Sequence, residues 1–389
     1  MRIKEIFGVL LVTMTVGIAP ARADTFVVGV ELPLTGALAR SGTGVNEGVQ
    51  IAAELFNAAG GRHKIKLVVV DDESQPAKAV AAVEKLLSQG AIAITGGYGS
   101  HIIAPASEAA DKAGVVYITS GGADDKLSAR GFPGFFRING SVSVAYPRAM
   151  NQLIQEQGLK SVSIIYSTRE PTTRLAKDVV GLLGDKVKTT LHPFDPATTD
   201  FKPLITKIKL QDKPDAIIMS AYEPDYVGIL RAARVVKPDV KAMIGAWLLA
   251  TPKMASDFPD LMNLVYGTSA LPYPPNLATD DGKAFLDAFR KTFNRDPDYT
   301  SVFGYTQAIV LFEAISRAAD KGDVKAKNAV ADEMRAAKRD TLLGVVDFNA
   351  QGDNMNYKEN IGQFQGGKIV LVSPPQRATG TMIFPGVPW

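Results

Sequence analysis

The chain has 389 residues, with 43 Lys and Arg against 40 Asp and Glu, three His and no Cys. At roughly 100–200 residues per domain this length predicts two domains with cores of their own. The composition excludes a disulfide scaffold, a cysteine nucleophile and a thiolate metal site. It makes a multi-histidine metal site improbable and gives no electrostatic reason to expect nucleic-acid binding.

Arg2 and Lys4 precede an apolar run over residues 6–19, which ends in the small-x-small pattern Ala21-Arg22-Ala23. This reads as a secretory signal peptide over residues 1–23, because the run is shorter than the ~20 apolar residues of a membrane span. Loss of Arg2, Lys4, Arg22 and Glu5 with it lowers the formal charge from +3 to +1.

From residue 25 the chain alternates β-branched runs with helical periodicity. Strands are expected at 25–33, 65–70, 91–95 and 115–119, with helices at 45–59, 76–87 and 103–113 between them. The pattern restarts with strands at 162–166, 187–192, 216–220 and 242–245 and helices at 173–183, 201–210 and 226–236. Short strands separated by helices of ten or more residues predict βαβ units and two parallel-sheet lobes. The last third departs from this, with helices at 280–293, 301–319 and 325–337, then short strands at 344–348, 361–365 and 369–372. Segments 139–143, 270–275 and 352–356 are rich in Gly, Pro, Asn or Ser and suit crossings between lobes.

Catalytic motifs are thin. Gly42, Gly44 and Gly48 give GxGxxxG, and an expected loop over residues 34–41 separates them from the first strand, so a helix-entry loop outweighs a dinucleotide fingerprint. Neither a phosphate loop nor a nucleophile elbow is present. His63 and His192 read as surface or strand-end residues. Asp71-Asp72-Glu73 reads as a cap for the next helix rather than a metal cluster. No enzyme activity, metal or cofactor is expected.

Two glycine loops point to binding instead. Gly96-Gly97-Tyr98-Gly99-Ser100-His101 runs from a strand into a helix, and Ser120-Gly121-Gly122-Ala123 follows the next strand. Both lie at carboxyl ends of adjacent strands, where open α/β sheets bind ligands. Free amides and the Ser100 hydroxyl there suit a carboxylate.

Taken together, GVELPLTGALARSG (29–42), EGVQIAAELFNAAGG (47–61), VVVDDESQPAKAVAAVEKLL (68–87), GGYGSHIIAPASEAADKAGVVYITSGG (96–122) and LRAARVVK (230–237) closely resemble the leucine/isoleucine/valine-type periplasmic binding proteins of ABC importers. The resemblance implies a type I fold: two Rossmann-like, doubly wound α/β lobes with parallel sheets, joined by three crossovers. Residues 24–141 and 272–352 would form the N-terminal lobe, and 142–271 and 353–389 the C-terminal lobe and tail. The ligand would lie in the cleft, and the lobes would close on it by a hinge motion.

The resemblance further implies that Ser100 and the Gly121 amide hold a carboxylate, with Gly122 in the same loop. Ala123 stands where amino-acid binders carry a threonine. Trp247 falls at the place of the acid that pairs with a substrate ammonium, and Pro171 lies near a lost tyrosine. Glu223 stands at another pocket tyrosine, either as an acid from a new direction, as a hydrogen-bond partner for a ligand phenol, or as a helix N-terminal residue. Tyr98, Tyr222 and Phe303 are candidate walls. Arg40, Ser41 and His101 are candidate polar contacts. These departures favour an aromatic carboxylate, with a branched-chain or other amino acid as the alternative. The implied partners are inner-membrane permease subunits, the expected state is a periplasmic monomer, and a soluble sensor of the same fold is the competing role.

Overall fold

A computed structural model describes residues 24–246 and 252–389. The signal-peptide expectation and Trp247 fall outside the described residues. The first lobe begins β1 (Thr25–Leu32), α1 (Ala39–Ala58), β2 (Lys64–Asp71), α2 (Pro76–Ser88), β3 (Ala93–Gly96), α3 (Ser100–Lys112), β4 (Val116–Thr119), α4 (Lys126–Ala129) and β5 (Phe135–Arg137). Its five strands pair in parallel in the order β2-β1-β3-β4-β5.

The chain then builds α5 (Ala145–Glu156), β6 (Ser161–Ser167), α6 (Glu170–Leu183), β7 (Lys188–Phe194), α7 (Lys202–Lys207), β8 (Ala216–Ser220), α8 (Glu223–Val236), β9 (Ala242–Gly245), α9 (Pro252–Asp257), α10 (Pro259–Met262) and β10 (Tyr266–Ser269). It returns to the first sheet with α11 (Asp280–Phe293), α12 (Tyr299–Lys321), α13 (Ala329–Ala336) and the small antiparallel pair β11 (Arg339–Thr341) and β12 (Gly344–Val346). It ends in the second lobe with β13 (Asn360–Gln365) and β14 (Lys368–Ser373). The second sheet reads β7-β6-β8-β9-β10-β13-β14, parallel up to β10 and antiparallel beyond it.

Both sheets are covered on both faces, which is why their central strands read as unbroken apolar runs. In the first lobe, α1, α11 and α12 pack on one face through Val49, Phe285 and Leu311, and α2 and α3 cover the other through Val83 and Ile103. In the second, α7 and α8 pack on one face through Ile205 and Ile229, and α5 and α6 cover the other through Met150 and Val179.

Helix α1 starts at Ala39, well before the expected residue 45, so Gly42 and Gly44 lie inside it together with Gly48 and not in an entry loop. Their role is close packing. A Cβ on Gly44 would sit 1.8 Å from Thr300 Oγ1 and one on Gly48 1.9 Å from the Ser301 carbonyl oxygen, while one on Gly304 would meet the Val45 carbonyl oxygen at 2.2 Å. The backbones of α1 and α12 therefore touch, at a contact where any larger residue overpacks.

Two further expectations change. His63 and His192 are buried, not superficial: each meets one aspartate, Asp320 at 3.0 Å and Asp212 at 2.5 Å. Asp71 and Asp72 do not cap α2. Asp71 accepts the amides of Leu34, Thr35 and Glu73, and Asp72 accepts that of Ser74, so the pair fixes the turns that follow β1 and β2. Among the described residues, no helix is long and apolar enough to cross a membrane, and no cluster of three His, Cys, Asp or Glu side chains is placed to hold a metal.

Candidate ligand-binding cleft

The carboxyl ends of β3 and β4 carry the two glycine loops into the space between the lobes. Gly96, Gly97 and Gly99 have φ of 133°, 69° and 89°, a region other residues rarely occupy. A Cβ on Gly121 would lie 2.4 Å from the Gly97 carbonyl oxygen, so the two loops pack backbone on backbone. The Gly99 amide donates to the Gly121 carbonyl at 3.0 Å.

Ser100 opens α3 and is buried. Its Oγ accepts the amides of Ala123 and Asp124, each at 3.1 Å. Its own hydrogen is therefore the group left to donate, which suits a ligand carboxylate. The Gly121 amide, expected to bind the carboxylate, instead donates to Thr119 Oγ1 at 3.0 Å, and Thr119 Oγ1 in turn donates to the Gly97 carbonyl at 3.2 Å. Gly121 thus faces the cleft with its amide already engaged. Gly122 is held from behind: its carbonyl accepts from Asn139 Nδ2 at 3.2 Å and from Arg137 Nη1 at 3.3 Å. Arg137 is itself buried and paired with Asp353 at 2.6 Å.

These loops form one wall of a cavity of about 540 Å³, counting the solvent at its mouth. Tyr98, Ser100, Ser120, Gly121, Ala123 and Asn139 line that side; Val45, Tyr299, Thr300 and Phe303 extend it through α1 and α12. The opposite side presents Pro171 and Tyr222, with Tyr146 of α5 between them. Among the described residues, none of these lining side chains is acidic or basic. The polar groups are hydroxyls and one carboxamide. The Tyr98 and Tyr299 hydroxyls meet at 3.0 Å, and burial pushes both phenols up, as it does those of Tyr146 and Tyr222. All four stay neutral hydrogen-bonding groups.

Several candidate residues lie elsewhere. Ser41 contacts Tyr98 from behind the wall. Arg40 and Glu223 pair with each other across the cleft mouth at 2.6 Å, and Arg40 also reaches Asp257 at 2.7 Å. Glu223 is the first residue of α8, so it serves the rim and the helix start together. His101 points to the outer side of the cleft. Its ring meets Tyr222 edge-on at 6.1 Å, and Arg169 lies over the same Tyr222 ring at 5.4 Å. Burial and then the Arg169 charge lower His101 to about 4, so it is uncharged near neutral pH. Lys126 of α4 and Glu170 of α6 add another interlobe pair at 2.8 Å.

Ser120, Asn139, Tyr146, Tyr299 and Thr300 were missed by sequence reasoning. Ser120 stood in a recognised loop and Asn139 in a recognised crossing segment, so both were within reach. Tyr146 and Tyr299 lie on elements whose starts or existence were not foreseen. Behind the floor, the Tyr357 hydroxyl donates to buried Glu359, whose carboxyl burial pushes up to about 8. Tyr357 also contacts Tyr146.

The family model for the periplasmic binding proteins matches residues 25–368. The chain belongs to the periplasmic binding protein family. An amino acid binding protein of Pseudomonas aeruginosa is 28% identical over 88% of this chain and 91% of that protein. A leucine-binding protein of Thermotoga maritima superposes with a TM-score of 0.80 at 20% identity, covering 90% of this chain and 98% of the other. A solute-binding protein of an ABC transporter from R. palustris, solved with benzoate, gives 0.77 at 20% identity over 93% and 97%. The fold is that of the type I periplasmic binding proteins, of the leucine/isoleucine/valine kind.

Proposed function

We propose that this protein is the periplasmic solute-binding component of an ABC importer, and that it captures a small carboxylate lacking an α-ammonium group, best fitted by an aromatic carboxylate. The carrying observation is the cavity wall itself. It offers the Ser100 and Ser120 hydroxyls to an anion, aromatic faces to a ring, and among the described residues no acid to pair with an ammonium. A buried ammonium without a counter-charge costs several kcal/mol. Trp247, which comes after β9 in the sequence, would add a further stacking face in this reading. Segments 24–141 with 272–352, and 142–271 with 353–389, would close as two bodies about the three crossings. The closed monomer would present its rim to the permease.

Import of an amino acid is the second reading, favoured by the Pseudomonas relative. A thermal-shift screen of benzoate and its analogues against leucine, isoleucine and valine decides between them. A ligand at a hundred times its Kd stabilises the folded protein by about 2.7 kcal/mol. Stabilisation by aromatic acids and not by the amino acids supports the proposal. Stabilisation by the amino acids alone refutes it.

A further inference from the structure

Glu31 near the end of β1, Asp72 directly after β2 and Tyr117 of β4 meet beneath the glycine loop that runs from β3 to Ser100. Glu31 and Asp72 are both 0% exposed, and Tyr117 is buried with them. The Tyr117 hydroxyl donates to Glu31 Oε2 at 2.6 Å, and Asp72 Oδ1 accepts the Ser74 amide at 2.7 Å. The two carboxyls also lie against each other. Among the described residues, Glu31 Oε1 and Asp72 Oδ2 have no donor, although both are buried.

Two ionised carboxyls cannot satisfy each other, because each only accepts. Like charges this close in a buried site hold back one ionisation, and one proton between them turns two orphaned acceptors into a hydrogen bond. Burial raises both carboxyls above their ordinary range, and the contact with Asp72 raises Glu31 further. Asp71 adds a like charge from the same turn, and Arg130, after α4, is the cation that bears on Tyr117. Lys78, Glu84, Lys85, Glu108, Asp111 and Lys112, on the α2 and α3 helices that cover this face, are exposed or half-exposed.

Both cleft loops rest on this cluster. The Gly97 amide donates to the Glu31 carbonyl at 2.7 Å, and Gly97 leaves no room for a Cβ beside the Tyr117 hydroxyl. Asp72 holds Ser74, whose Oγ accepts the Leu38 amide at 3.0 Å and donates to the Thr35 carbonyl at 2.8 Å, on the loop that enters α1. We propose that Glu31 and Asp72 share one proton and that this pair is an alkaline switch: loss of the proton leaves two buried charges under the glycine loop and loosens the segment that carries Ser100. The switch acts whatever ligand the cleft takes.

The test is urea unfolding of the mature protein and of Glu31→Gln between about pH 5 and 9. Glutamine imitates the protonated state permanently, since its carbonyl can accept from Tyr117 while its amide donates to Asp72. A carboxyl raised in the folded state contributes stability that is whole below its unfolded value and is lost as pH rises through its folded one. The wild-type folding constant should therefore fall with pH more steeply than that of Glu31→Gln, by about tenfold per unit for one proton. Both proteins keep Glu359, so its share of the slope cancels. At about pH 9 the amides of residues 97–100 should exchange with solvent several-fold faster in the wild type than in the variant at the same pH.

Parallel stability profiles overturn the shared proton. A steeper wild-type profile with equal exchange of the loop amides in both proteins overturns the switch. Should Glu31→Gln not fold, Asp72→Asn, whose amide donates to Glu31 in the proton's place, is read in the same way.

Discussion

The two walls of the cleft are built on different principles. The N-terminal wall is backbone-rich and internally bonded: Ser100, Thr119, Gly121 and Gly122 are each held by neighbours before any ligand arrives. Among the described residues, the C-terminal wall offers Pro171, Tyr222 and Tyr146 to the cavity and places its charges at the rim, where Glu223, Asp257 and Glu170 meet cations of the other lobe. The first wall is arranged to orient a ligand and the second to cover it. Preorganised polar groups lower the ordering cost of binding, whereas rim charges mainly affect the rate and salt dependence of closure.

The largest effect should come from the orienting wall. Ser100→Ala removes both the donor and the acceptor that ties down the Ala123 and Asp124 amides. Benzoate affinity should fall by about 1–3 kcal/mol, and calorimetry measures it. An unchanged Kd would mean the ligand is not oriented by this loop.

The floor, where both walls meet, gives an intermediate effect with a pH signature. Glu359 is raised to about 8 in the folded protein by burial, against an ordinary value near 4.5. Its protonated form therefore stabilises the fold fully below pH 4.5, and that contribution is lost as pH rises toward 8. Thermal midpoints should fall by several degrees across this window. Glu359→Gln should flatten that part of the profile, and a parallel profile in the variant would assign the slope to other groups.

The smallest effect belongs to the covering wall. Arg40 is partly exposed, and Arg40→Ala removes a solvent-screened pair with Glu223 and Asp257. Ligand affinity should weaken by no more than about 1 kcal/mol, and less in high salt. A loss as large as that from Ser100→Ala would erase the distinction between the walls.

The same contrast marks what could be read from the sequence. The alternation of apolar strands and helices identified the fold class, because parallel sheets buried on both faces impose that pattern. The loops around Ser100 and Gly121 were recognisable because glycine spacing and chain position are local signals. The pairings were not. Nothing local shows that the Gly121 amide goes to Thr119, or that Arg40 and Glu223 bond to each other across the cleft. Gly42 and Gly44 looked like a loop because glycine lowers helix propensity, and the use of Gly44 and Gly48 against α12 depends on a segment met some two hundred and fifty residues later. Tyr146 and Tyr299 were lost for a similar reason, since helix starts are the least certain boundaries.

That glycine seam also bears on the order of events during folding. Helix α1 is among the first elements of the chain and α12 among the last, yet they share a backbone-to-backbone contact. The lobe that begins the sequence can finish its core only after the second lobe's elements from α5 to β10 have been synthesised. Contacts this distant in sequence slow folding. The binding loops at β3 and β4 therefore acquire their final support late, and a chain truncated before α12 should display them on an unfinished scaffold.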